Sequence, residues 1–129
     1  MKETDRQALI SLERAKARRF LAQAAEMCRQ GLWDLAANRF YYASFHEVQA
    51  LFLKEGISGH THSGMVSQFS VHYVKTGRVE ASFGSFLARM MQLRQKADYN
   101  CAYEISEQEV KDIAPMAAAF VDELEKMFV

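Results

Sequence analysis

The amino-acid sequence predicts an all-α protein: an antiparallel up-and-down bundle of four long helices plus one shorter helix. Three observations predict it. Apolar residues recur at helical spacing along most of the chain, with no strand-type alternation. One proline and six glycines leave long stretches free of helix breakers. The segments between the apolar stripes are short, so neighbouring helices should run antiparallel.

The first helix is expected from about Thr4 to Gln30. Ile10, Ala17, Leu21, Ala24 and Cys28 form its stripe, and Gly31 can take the left-handed conformation that closes a helix. The second runs from Trp33 to Glu55 and stops at Gly56. Leu35, Phe40, Tyr41, Phe45, Val48, Leu51 and Phe52 cover most of its directions, as in a helix at the centre of a bundle. Ile57 to His62 is a loop. A shorter third helix spans Ser63 to Val74, ended by Gly77. The fourth spans Ala81 to Cys101, with Phe83, Leu87, Met90, Ala97 and Cys101 facing inward. The fifth opens on Ser106-Glu107-Gln108-Glu109, a capping box in which serine and glutamate side chains satisfy exposed backbone amides. Val110, Ile113, Ala117, Phe120, Leu124 and Met127 are its stripe, and Pro115 should kink or break it.

A chain of 129 residues with 50% hydrophobic and 25% charged residues can bury one core, so residues 1–129 are expected to form a single domain. Zero formal net charge argues against avid, non-specific nucleic-acid binding but allows a local basic patch. The polar N-terminus lacks a signal-peptide core, and no run approaches the ~18 apolar residues of a membrane span. A cytoplasmic location is expected, without membrane attachment, with Cys28 and Cys101 as free thiols packed as small core residues. Arg14, Lys16, Arg18 and Arg19 cluster on the first helix, while Glu104 to Val129 holds seven acidic residues against two basic ones. Most of these charges should be solvated, though some can pair the terminal helices or two subunits.

The segment Asn38-Arg39-Phe40-Tyr41-Tyr42-Ala43-Ser44-Phe45-His46 sets an arginine and a histidine seven residues apart on an otherwise apolar helix. Two helical turns separate them, with only about 20° of drift. On the fourth helix Arg94 falls in the inner stripe, and Asp98 lies one turn on, followed by Tyr99. One reading of these polar residues is a buried network, in which Arg94→Ala would cost ~3 kcal/mol. The other is a cleft between the second and fourth helices. There Arg39 clamps a phosphate and His46 acts as general acid or base. Asn38, Tyr42, Arg94, Asp98 and Tyr99 would contact the substrate. Such a pair suits phosphodiester cleavage in RNA, where the 2′-hydroxyl is the nucleophile. His60, His62 and His72 suggest a metal, but no carboxylate sits at ligand spacing. No metal and no cofactor are therefore expected. His62 reads better as a cap for the third helix or a loop hydrogen-bonding residue.

These segments resemble the HEPN family (higher eukaryotes and prokaryotes nucleotide-binding domain), in its small prokaryotic single-domain branch. Four pieces carry the resemblance: Asn38 to His46; Thr61-His62-Ser63-Gly64-Met65-Val66 with Phe69 and Tyr73-Val74-Lys75-Thr76-Gly77; Leu93-Arg94-Gln95-Lys96-Ala97-Asp98-Tyr99; and the acidic last helix with Ala119-Phe120-Val121. The resemblance implies a helical bundle that forms homodimers. It implies a two-gene, toxin–antitoxin-like module with a nucleotidyltransferase partner. It also implies metal-independent endoribonuclease activity in members with a closely spaced arginine and histidine. Well-marked toxins carry that pair in a late helix, where this chain has Arg94 and Tyr99 but no histidine. The alternative is a non-catalytic helical interaction module or a nucleotide- or RNA-binding subunit.

Overall fold

The computed structural model describes residues 1–58 and 61–128. Five α-helices are present among them and no strands: α1 (Glu3–Arg29), α2 (Trp33–Glu55), α3 (His62–Phe69), α4 (Ala81–Tyr99) and α5 (Glu107–Glu125). α3 runs on into a π-helical turn, Ser70–Val74, and α5 into a short 3₁₀ turn, Lys126–Phe128. The expected loop from Ile57 to His62 is only partly within the described residues, because Gly59 and His60 lie outside them.

α2 is the central helix. Ala43, Val48, Ala50 and Leu51 are fully enclosed, as its all-round apolar surface requires. α1 runs antiparallel to it: Gln23 meets Arg39 near one end and Glu13 meets His46 further along. α5 runs parallel to α2, since Asp34 accepts from the Ile105 amide at its start and Lys54 donates to the Met127 carbonyl at its close. Four long helices thus alternate in direction along the chain. α3 is the exception in length. It begins beside Tyr41 and Phe45 and ends beside Phe52, where Tyr73 stacks. It therefore climbs alongside α2 and delivers its first residue to the middle of that helix.

Phe69, Phe83 and Phe86 surround Phe120, which joins α3, α4 and α5 in one aromatic core. α4 starts tight against the end of the π turn. A Cβ at Gly84 would come within 2.9 Å of Val74 Cγ2, so this crossing needs a residue without a side chain. Gly56 closes α2 at φ 69°, the left-handed conformation glycine adopts without strain.

Ser106 caps α5 as expected, its Oγ accepting from the Glu109 amide at 3.1 Å. Tyr103 donates to the Glu109 carboxylate, and with the Ser106 contacts this holds Glu109 below the usual carboxylate range. Ser106→Ala should lower stability by about 1 kcal/mol in urea unfolding, the usual cost of a lost N-cap. α5 passes through Pro115 without interruption. The ring lies on its exposed side, where the unpaired carbonyl one turn back can meet water.

Three expectations need correction. Leu35 is exposed rather than core, and so are Ala97 and Cys101. Leu35 and Ala97 line a cavity between the start of α2 and the last turns of α4, and Cys101 lies past the end of α4 at Tyr99. Arg94 and Asp98 meet at 3.4 Å, but with side chains 25% and 47% exposed. The pair is partly hydrated, not buried. Arg94→Ala should therefore cost under ~1 kcal/mol, well short of a broken interior pair, and thermal melting would show it.

Charges of the two terminal helices do pair. Glu125 takes Arg14 at 2.8 Å and Arg18 at 2.9 Å. Beneath this cluster lies Glu47, with 0% exposure.

Candidate functional site

α2 presents Arg39, Tyr42 and His46 along one ridge, in the groove between α1 and α4. Each is half-buried. Arg39 Nε donates to Gln23 Oε1 of α1 at 2.8 Å, and Nη1 donates to Asn38 Oδ1 at 2.6 Å. His46 Nδ1 lies 2.6 Å from Glu13 Oε2, also on α1. A carboxylate accepts only, so Nδ1 carries the proton and Nε2 is left for other partners. Neither Glu13 nor Gln23 was singled out by sequence spacing. Both sit among many polar residues on α1, and only the crossing with α2 selects them.

Phe20 joins the two ends of the ridge. The Arg39 guanidinium lies over its ring at 5.2 Å, and the His46 imidazole meets it edge-on at 5.6 Å. Lys16 and Arg19 approach the same ring, each at 5.7 Å. Three cations thus surround one aromatic ring on a chain of zero net charge. Arg14 and Arg18, on the other side of α1, are taken up by Glu125.

On the α4 side, Arg94 Nε donates to Tyr42 Oη at 3.2 Å. Its guanidinium lies 5.5 Å from the Tyr41 ring and 5.8 Å from the Tyr42 ring. A cavity of about 380 Å³ opens here. Ala37, Met90 and Leu93 are among its apolar lining, and Asn38, Arg39, Arg94, Asp34 and Asp98 bring polar atoms to it. That volume is near the lower end for small-molecule pockets and suits one planar ring with a polar rim.

Of the seven residues singled out in the sequence, four meet at this cavity: Asn38, Arg39, Arg94 and Asp98. Tyr42 stands beside it, bonded to Arg94. His46 lies one turn past Tyr42, outside the cavity, with its side chain 13% exposed. Tyr99 does not join them. It is 86% exposed at the end of α4 and is not among the residues that line the cavity.

His62 is not the cap of α3; it is a hydrogen-bonding residue, as the other expectation had it, but in the first turn of α3 rather than in the loop. Thr61, not His62, caps α3, with Thr61 Oγ1 accepting from the Gly64 amide at 2.8 Å. The His62 ring turns inward, hydrogen-bonds Tyr41 Oη through Nδ1 and stacks on Phe45 at 4.9 Å. Burial, then the nearby Arg94 charge, push its pKa below the usual histidine range, while Asp98 opposes them. His72 turns instead to Gln68, and His60 lies outside the described residues. Among the described residues no three His, Cys, Asp or Glu side chains converge as a metal site would need.

The HEPN domain model matches residues 11–127, nearly the whole chain and all of the ridge. The protein belongs to the HEPN family. This HEPN chain is similar in sequence to a UPF0332 protein of Thermotoga maritima, 37% identical over 95% of this chain and 93% of the relative. It is also similar to a Methanocaldococcus jannaschii protein named "Putative toxin MJ0605", 32% identical over 93% of this chain and 86% of the relative. Among the described residues no helix is long and apolar enough to cross a membrane.

Proposed function

We propose that this HEPN protein is an endoribonuclease that cleaves single-stranded RNA without a metal, with Arg39 as phosphate clamp and His46 as acid–base group. One observation carries the reading: Arg39, Lys16 and Arg19 gather around Phe20, with His46 against the same ring. Single-stranded nucleic acid is held by this chemistry, cations for phosphates and an aromatic face for a base. His46 adds an imidazole, the side chain most often used for proton transfer, held by Glu13 through Nδ1. Asn38, Tyr42, Arg94 and Asp98 would hold a neighbouring nucleotide at the cavity. The toxin name of the Methanocaldococcus relative agrees with an activity harmful to its host cell.

In a cell the protein would act as the toxin-like half of a two-gene module, with a nucleotidyltransferase as its partner and a homodimer as its form. Exposed Leu9 and Leu12 on α1 offer apolar area for such contacts. The test of activity is direct. Purified protein, incubated with a short RNA in the presence of a chelator, should release fragments ending in 2′,3′-cyclic phosphate. Intact RNA after prolonged incubation would overturn the reading.

A second reading rests on the pairing of His46 with Glu13 and of Arg39 with Gln23 and Asn38. In it these residues lock α1 onto α2, and the protein is a non-catalytic interaction or RNA-binding subunit. Arg39→Ala separates the two. A fall in melting temperature with RNA binding unchanged supports the lock, whereas lost cleavage at constant stability supports the clamp.

A further inference from the structure

The late-helix arginine, Arg94, has no histidine beside it in sequence. The tertiary structure supplies one. Tyr41 and Tyr42 carry the Arg94 guanidinium on their rings, and Tyr41 also holds His62 through its hydroxyl. Arg94 comes from α4 and His62 from the first turn of α3, so an arginine–histidine pair is assembled in space.

This pair faces the other one across a single side chain. Phe45 stacks on His62 at 4.9 Å and meets His46 edge-on at 5.2 Å. Tyr42 likewise stands between Arg94, which it bonds, and His46, 6.2 Å from its ring. Two imidazoles and the Arg94 guanidinium therefore flank the Tyr42–Phe45 edge of α2.

We propose that His62 is the general base of the RNA site and His46 its general acid, with Arg39 remaining the phosphate clamp and Arg94 beside it on the shared cavity. This rests on the RNA-cleavage reading above. The hydrogen-bond network is compatible with these roles. In the Nδ1–H tautomer, which the Tyr41 Oη to Met91 Sδ contact at 3.9 Å allows, Tyr41 accepts from His62 and the Nε2 lone pair is free. Burial first, then the Arg94 charge, disfavour a proton there, and Asp98 opposes them. On the other side, the Glu13 carboxylate accepts from His46 Nδ1–H at 2.6 Å and fixes the ring, so Nε2 is the atom that can carry a proton to the leaving oxygen. In the reaction, His62 Nε2 takes the proton of the ribose 2′-hydroxyl. The O2′ lone pair forms the bond to phosphorus as the bond from phosphorus to O5′ breaks. His46 gives its Nε2 proton to O5′. The products are a 2′,3′-cyclic phosphate and a 5′-hydroxyl.

The test compares two short RNAs, one with the natural O5′ leaving group and one with sulfur in that position. A thiolate leaves without a proton, so only the acid becomes dispensable. On the natural RNA, His62→Gln and His46→Ala should each lose about 100-fold or more. On the thio-RNA, His46→Ala should regain most of the wild-type rate and His62→Gln should not. The acidic limb of the pH–rate profile should vanish in His62→Gln alone. Melting temperature and circular dichroism establish that each variant is folded. Wild-type rates for folded His62→Gln on natural RNA, or its rescue by sulfur, would overturn the assignment while leaving RNA cleavage in place. Absence of cleavage by the wild type would instead overturn the reading on which it rests.

Discussion

His46→Ala should slow RNA cleavage by about 100-fold or more at neutral pH, the usual contribution of a positioned acid–base group. Its effect on stability should be small by comparison. The imidazole packs on Phe20 and Phe45 and bonds Glu13, but the Glu13 carboxylate is 27% exposed and can be rehydrated when its partner is removed. Arg39→Ala should show a similar loss of rate. Arg39→Lys should recover little, because a lysine is a point charge that cannot reproduce a planar fork held by Gln23 and Asn38. Initial rates on a fluorescent RNA, measured beside melting curves, decide the matter. A His46→Ala protein that cleaves at the wild-type rate would remove His46 from the chemistry.

Stability should fall as pH rises from about 5.5 to 8.5, with Glu47 as the cause. Glu47 is fully enclosed, and neither carboxylate oxygen meets a hydrogen-bond donor among the described residues. Burial first, then the adjacent Glu125 carboxyl, push its pKa up to about 9 against the attraction of Arg14 and Arg18. A proton makes Glu47 the donor toward Glu125. Burial acts on Glu125 in the same upward direction, but Arg14, Glu47 and Arg18 prevail and hold it below the usual carboxylate range. The pair therefore keeps one proton, on Glu47.

The sign follows from where that proton goes. Between the ordinary glutamate pKa and about 9, the folded protein holds a proton that the unfolded chain has released. Folding is then favoured by lower pH, and this contribution fades at up to about 1.4 kcal/mol per pH unit. Below the ordinary carboxylate range the direction reverses, because Glu125 must then be protonated and its ties to Arg14 and Arg18 are lost. Glu47→Gln keeps a neutral donor of the same size and cannot ionise. Urea unfolding at pH 5.5, 7 and 8.5 should show a declining wild type and a nearly level variant, with the variant the more stable at pH 8.5. Equal slopes would show that another group titrates.

The helices were legible in the sequence because each carries its own evidence. Gly31, Gly56 and Gly77 take positive φ at or just after helix ends, and the Ser106 cap and the stripe on α5 need only local spacing. The π turn from Ser70 to Val74 was not legible, since helical periodicity alone cannot show a change of pitch over one turn. Cys101 was misplaced because a stripe extended past Arg94 assumes that the helix continues, whereas α4 ends at Tyr99 and Cys101 lies exposed in the turn beyond it.

The candidate site divides in the same way. Arg39, Tyr42 and His46 share a ridge because two helical turns put them there, and any α-helix with this sequence would do so. Sequence alone therefore determined an all-α bundle, its helix ends, and one polar ridge on its central helix. Only tertiary structure decided what faces that ridge. Phe20 and Glu13 arrive with α1, Arg94 with α4, and His62 with the climb of α3 along α2. Periodicity reports which residues share a face of one helix. It carries no information about which residue of another helix stands opposite, because that depends on crossing position and direction, which packing of the whole core sets.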